Sequence, residues 1–162
     1  MKTVTGDMKA VVTLPSDTQI LITREFDAPK HLVYRAFTEP ELVMRWWASD
    51  KGETTLAETD LRVGGAWRWV MIANEGFEVG FHGEFLEIVP DELISRTEIY
   101  EGYPDEVAKS RLTLREVGAK TTIEMLVEHT NKFARDMHIE SGMEDGLQKA
   151  LILLEEVAIS LK

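Results

Sequence analysis

Between Thr54 and His129 the chain is interrupted by turn signals at short, regular intervals: Gly64-Gly65, Asn74-Glu75-Gly76, Pro90-Asp91, Gly102-Tyr103-Pro104 and Gly118. Short segments rich in β-branched and aromatic residues, separated by such turns, read as strands joined by hairpins. Six consecutive strands connected this way form an antiparallel meander, because parallel neighbours would need long crossovers. Upstream, Thr18–Phe26 alternates as a half-buried strand does, with Ile20 and Ile22 opposing Leu21 and Thr23. The expectation is therefore a seven-stranded antiparallel sheet.

The fourth strand predicts that this sheet is curved. Phe77, Val79, Phe81 and Phe85 hold odd positions, and then Leu86 and Ile88 take over on even ones. A β-bulge near Phe85 would produce that change of phase, and bulges bend sheets. Two short helices follow the first strand. Pro29–Phe37 puts Val33 and Phe37 on one face, with Asp27 as its expected cap. Thr38-Glu39-Pro40-Glu41 reads as a capping box for the second, which carries Leu42, Val43 and Trp46. Ala48–Glu53 and Asn131–Glu140 read as polar connections.

Ser141-Gly142-Met143-Glu144 is a further capping-box pattern, opening a helix that runs to Leu161. Met143, Leu147, Leu151, Leu154, Ala158 and Leu161 share a face, widened by Ile152 and Ile159. About twenty residues give roughly 30 Å of helix, enough to cross a small domain. Gly146 costs it roughly 1 kcal/mol relative to alanine, a cost that close approach to the sheet would justify. An α+β domain follows: a curved sheet wrapped around a long C-terminal helix. A sheet cannot close everywhere around a helix about 10 Å wide, so a cavity between the two is expected. Residues 1–17 read as an arm, in which Val11–Leu14 could add an edge strand, and residues 18–162 as one domain.

The net charge of −11 disfavours phosphate backbones and anionic lipid heads as partners. There is no cysteine, which removes disulfides and thiolate chemistry. The first residues hold no apolar run suited to a signal peptide, and a cytoplasmic location is expected. No histidine or carboxylate spacing suits zinc or calcium, and no cofactor is expected. Gly64-Gly65 leads into a strand rather than a helix, so it is no phosphate cradle.

Candidate ligand contacts come from alternation and aromatic content. Trp67, Trp69 and Met71 share one face of a strand, and the neighbouring strand adds Phe81. Trp46, beside Trp47, lies close by at the end of the second short helix. Across the sheet, Met125 shares a face with Ile123 and Val127, and His129 ends that face at the expected cavity mouth. Leu147 and Leu151 of the long helix form the opposing wall. If Leu93 and Ile99 face inward, Ser95 and Thr97 do too, and their hydroxyls then need partners. His31 and His138 read as solvated. His82 and Glu84 could pair as acid and base, but Phe81 and Phe85 claim the inner face and leave them outside. No catalytic residue is assigned.

Five segments carry a resemblance over residues 18–161: Phe26–Pro29, Glu39–Trp47, Asp60–Trp67, Gly83–Pro90 and Ser141–Gly146. In them the chain resembles the START-like, or SRPBCC, superfamily. More narrowly it is similar to bacterial proteins related to the C-terminal domain of the activator of the ninety-kilodalton heat-shock chaperone ATPase. The resemblance implies the helix-grip fold and an apolar cavity, shared by carriers, receptors, cyclases and co-chaperone domains alike. The expected function is non-catalytic binding of a small apolar or aromatic molecule, by a monomer or homodimer. The alternative is a co-chaperone-like domain with a chaperone or other protein partner, in a stress response. A cyclase or hydrolase is a further alternative. The co-chaperone relatives carry an additional N-terminal domain, whereas the arm here is too short to fold alone.

Overall fold

The computed structural model describes residues 9–162, so the first eight residues of the arm lie outside the described residues. The elements run β1 (Val11–Thr13), β2 (Gln19–Phe26), α1 (Lys30–Thr38), α2 (Pro40–Val43), β3 (Gly52–Thr59), β4 (Ala66–Ala73), β5 (Glu78–Val89), β6 (Leu93–Tyr100), β7 (Ala108–Val117), β8 (Lys120–Glu128), α3 (Lys132–Glu140) and α4 (Met143–Ser160). One antiparallel sheet has the order β1-β2-β8-β7-β6-β5-β4-β3. It has eight strands rather than seven. The extra one is β1, the short edge segment, which pairs Val12 with Ile22.

The meander is built of consecutive hairpins from β3 to β8, and β2 closes against β8 with Ile22 opposite Met125. Bulges bend it in two places. Between β3 and β4 the register slips between Thr54 and Leu56. Between β5 and β6 it slips between Phe85 and Glu87, at the site the change of phase predicts. Leu86 is the unpaired residue there and is exposed, which corrects its expected inward place; Ile88 does pack against the core. An extra residue shifts the alternation by one, so the next inward position is Ile88.

Helix starts differ from the capping patterns. The Asp27 amide donates to the Glu155 carboxylate, and Pro29 precedes α1 without a side-chain cap. Thr38 donates its hydroxyl to Tyr34 O, so α2 begins at Glu39–Pro40 without a box. The stretch expected to be a polar connection is a helix, α3. Its cap is Asn131, whose Oδ1 accepts from the Ala134 amide at 2.8 Å. Gly142, in the left-handed region at φ 83°, turns the chain out of α3 and into α4. Ser141 donates to His138 O, so it closes α3 rather than capping α4.

The core lies between the concave face and the helices. Ile20, Ile22 and Phe26 of β2, Leu112 and Leu114 of β7, and Ile123 and Val127 of β8 face Leu151, Leu154, Val157 and Ala158 of α4. Each large side chain removed from water in this way contributes roughly 1.5–3 kcal/mol before entropy is counted. Val33, Phe37 and Val43 close one end, and α4 lies against α1. Arg24 brings a charge into this layer: its side chain is 1% exposed and sits 3.4 Å from Glu155 of α4. Gly146 is not explained by the sheet, because a side chain there would meet only the Lys51 stem at 3.8 Å.

Candidate functional site

Alternation along β4 turns Trp67, Trp69 and Met71 to the concave face. Trp67 and Trp69 are buried, and Met71 is half-buried. The rings form a continuous edge-to-face cluster with centroids 5.3 Å apart for Trp67–Trp69, 5.9 Å for Trp46–Trp69, 5.7 Å for Trp47–Trp69 and 5.8 Å for Trp47–Phe81. Such geometry suits the quadrupoles of aromatic rings. The cluster ends at Tyr100, whose ring centre is 5.2 Å from that of Phe81. Trp46 is a structural anchor, since its Nε1 donates to Ala36 O at 2.8 Å. Trp47, next in sequence, lies beyond the end of α2 and supplies the contact with Phe81.

Gly83 allows this wall to form. It lies opposite Trp67 in the β4–β5 ladder, and a Cβ there would fall 1.9 Å from Thr97 O and 2.7 Å from Trp67 Nε1. The missing side chain lets the indole lie across β5 and donate to Thr97 O at 3.1 Å. Trp69 Nε1 is buried with no hydrogen-bond partner among the described residues.

On β6 the residues sharing this face are Ile94, Arg96, Glu98 and Tyr100, so Ser95 and Thr97 lie on the other face. The reason is the parity of a strand with apolar residues on both phases, Leu93 and Ile99 on one and Ile94 and Tyr100 on the other. The Thr97 hydroxyl accepts from the Glu84 amide of the neighbouring strand at 2.9 Å. The Arg96 guanidinium carbon stands 3.7 Å from the Trp67 ring centre and 4.7 Å from that of Trp69. Its Nη2 donates to Glu98 Oε2 at 3.2 Å. Burial pulls Arg96 below the usual arginine range, and Glu98 opposes that. Nothing in the local sequence marks Arg96 as inward; only the register against β5 and β7 decides it.

His129 follows β8 on the inner phase and joins a polar chain. Its Nδ1 meets Glu106 Oε2 at 2.9 Å, and its Nε2 meets His138 Nδ1 of α3 at 3.0 Å. Glu106 also accepts from the hydroxyl and the amide of Thr130. Burial alone would raise the Glu106 carboxyl, but these hydrogen bonds outweigh it and hold the group low. Burial lowers His138, His129 adds to the effect, and Glu98 opposes it. His138 is thus a partner of His129 rather than a solvated histidine, because α3 folds back over the strand end. A single proton fits between the two imidazoles, and the Glu106 carboxylate, which only accepts, faces the N–H of His129 Nδ1.

The remaining expected contacts lie on the same side of the sheet. Phe81 and Met125 are half-buried and pack against the core, as does Leu147 of α4, while Leu151 is fully buried. His82 lies on the convex face, where its Nδ1 meets Glu101 at 2.8 Å. Arg68 donates to the same carboxylate at 2.8 and 2.9 Å, and Glu101 is held down at about 2, chiefly by Arg68. A recess of about 160 Å³ is lined by Met44, Arg45, Trp46, Ala48 and Thr54, so of the expected contacts Trp46 alone borders it. Among the described residues no group of three or more metal-ligating side chains is arranged around a common point, and no helix is long and apolar enough to cross a membrane.

A curved antiparallel sheet gripping a C-terminal helix places the chain in the START-like class of α+β domains. The family described as activator of Hsp90 ATPase homolog 1-like protein matches residues 27–158, and the chain belongs to that family. No curated protein matches significantly. Among solved structures, a Rhodobacter sphaeroides protein is 24% identical with a TM-score of 0.87, covering 95% of this chain and 100% of its own. A Nitrosomonas europaea protein is 26% identical with a TM-score of 0.81, covering 91% and 97%. An AHSA1-like protein from Aeromonas hydrophila is 19% identical with a TM-score of 0.65, covering 87% and 93%.

Proposed function

We propose that this chain is a non-catalytic binding protein for a small aromatic molecule held between the curved sheet and α4. The observation that carries this reading is partial exposure where burial is expected. Phe81, Met125 and Leu147 belong to the concave face or the helix opposing it, yet they are only half-buried. The inward side chains of Arg96 and Glu98 keep 17% and 21% of their surface open. Exposure on the inner face fits a mostly apolar hollow with a few placed polar groups, an arrangement that suits a small ligand. Trp67, Trp69, Phe81 and Met125 line the hollow in this reading, with Leu147 and Leu151 opposite and His129 at its polar end. A cytoplasmic setting is part of the proposal.

The test is titration with the neutral fluorophore N-phenyl-1-naphthylamine, following probe emission and indole quenching together. Saturable binding near one equivalent is expected, with a copurified small molecule visible by native mass spectrometry. Absence of saturable binding across a panel of flat apolar compounds would overturn the reading. The family's description favours a second one, a chaperone-interacting domain. Stimulation of a purified Hsp90-type ATPase by this chain, with no small-molecule binding, would establish that instead.

A further inference from the structure

The wall is rich in hydrogen-bond donors and poor in acceptors. Arg96 presents five N–H groups in a planar fork. The only side-chain acceptor that reaches it among the described residues is Glu98, through one nitrogen at 3.2 Å. Its face is fixed by the two indoles at 3.7 and 4.7 Å, so the fork is held in one plane with its remaining edges unoccupied. Its side chain keeps 17% of its surface open, and none of its nitrogens is among the sealed side-chain atoms that lack a partner. Trp69 Nε1, in the same ring cluster, is a second donor without a partner. A stacked guanidinium with free N–H edges matches a carboxylate or sulfonate, which accepts two parallel bonds.

We propose that the site selects planar aromatic acids: the anionic group takes the free edge of Arg96, and the ring system extends the Trp67–Trp69–Phe81 cluster. The inference rests on the binding function proposed above. Glu98 acts as the internal competitor. Its carboxylate meets Arg96 through a single contact at 3.2 Å, and a ligand anion that makes two better ones displaces it. Neutral analogues leave Arg96 with Glu98 and gain only the stacking.

Two fluorophores with one skeleton separate these contributions. 8-Anilinonaphthalene-1-sulfonate carries the anion, and N-phenyl-1-naphthylamine lacks it. The wild-type chain is expected to bind the sulfonate at least about ten-fold more tightly, as a charge-assisted forked pair implies. Arg96→Gln should weaken the sulfonate about ten-fold and leave the neutral probe within about two-fold. Glu98→Gln should strengthen the sulfonate several-fold, a gain of function that misfolding cannot mimic when the melting transition stays cooperative. Equal affinity for the two probes in the wild type, or indifference of the sulfonate to both substitutions, would overturn the selectivity while leaving the binding function standing. Failure of both probes to bind the wild type would overturn both. If Arg96→Gln does not fold, the wild-type probe ratio and the Glu98→Gln variant decide.

Discussion

Trp69 concentrates the residue-scale question, because its ring meets Trp46, Trp47 and Trp67 while its Nε1 has no partner. Trp69→Ala should cost about 3–5 kcal/mol of stability if the cluster is plain core. It should instead cost about 1–3 kcal/mol of ligand affinity, with a smaller loss of stability, if the ring is a binding anchor. Denaturant melts and probe titrations on one preparation separate the two. His138 makes a pH prediction. Burial depresses it in the folded chain, so folding favours its neutral form. Its contribution is complete above the unfolded value near 6.5 and is lost as pH falls from there through the lowered folded value. His138→Gln should flatten the fall of melting temperature with pH in that acid interval; an unchanged slope would show that other groups carry it. At this scale the sequence was legible where one parity was plainly apolar, as in Trp67 and Trp69. It was not legible on β6, where both parities carry apolar residues and Arg96 rather than Ser95 or Thr97 faces inward.

Elements were read best where a long period supports them. The C-terminal helix and the bulge after Phe85 both lie where the patterns place them. The helix α3 was missed because its sequence is mostly polar. Its existence depends on the Asn131 cap and on packing of Ala134 and Ile139, which only the folded chain supplies. Two substitutions probe α4. Gly146 has room for a side chain and sits on a helix interior, so Gly146→Ala should stabilise by about 0.5–1 kcal/mol in urea melts. A loss instead would mean that Lys51 cannot yield the space. Glu155 faces buried Arg24 and accepts from the Asp27 amide, tying α4 to β2 and to the entry of α1. Glu155→Ala should cost about 3 kcal/mol, because it strands a buried guanidinium. A neutral result would show that Glu25 O, which already accepts from Arg24 Nη1, satisfies the guanidinium without it.

The whole molecule depends on α4 to cover the concave face. Ending the chain at Ser141 removes Leu151, Leu154, Val157 and Ala158 from contact with Ile20, Ile22 and Ile123. The expected product is aggregated, and a soluble, cooperatively melting fragment would contradict the grip of sheet on helix. The sequence by itself determined the antiparallel meander, its curvature and the broad apolar helix. Those features rest on periods of two and 3.6 residues and on turn chemistry, which act between near neighbours. Only the tertiary structure decided that β1 joins the sheet, that Arg96 stacks on Trp67 and Trp69, and that His129 meets Glu106 and His138. These contacts join residues far apart in the chain, with 28 positions between Trp67 and Arg96 and 22 between Glu106 and His129. Strand register and the return of α3 over the sheet end bring them together, and no local pattern encodes either one.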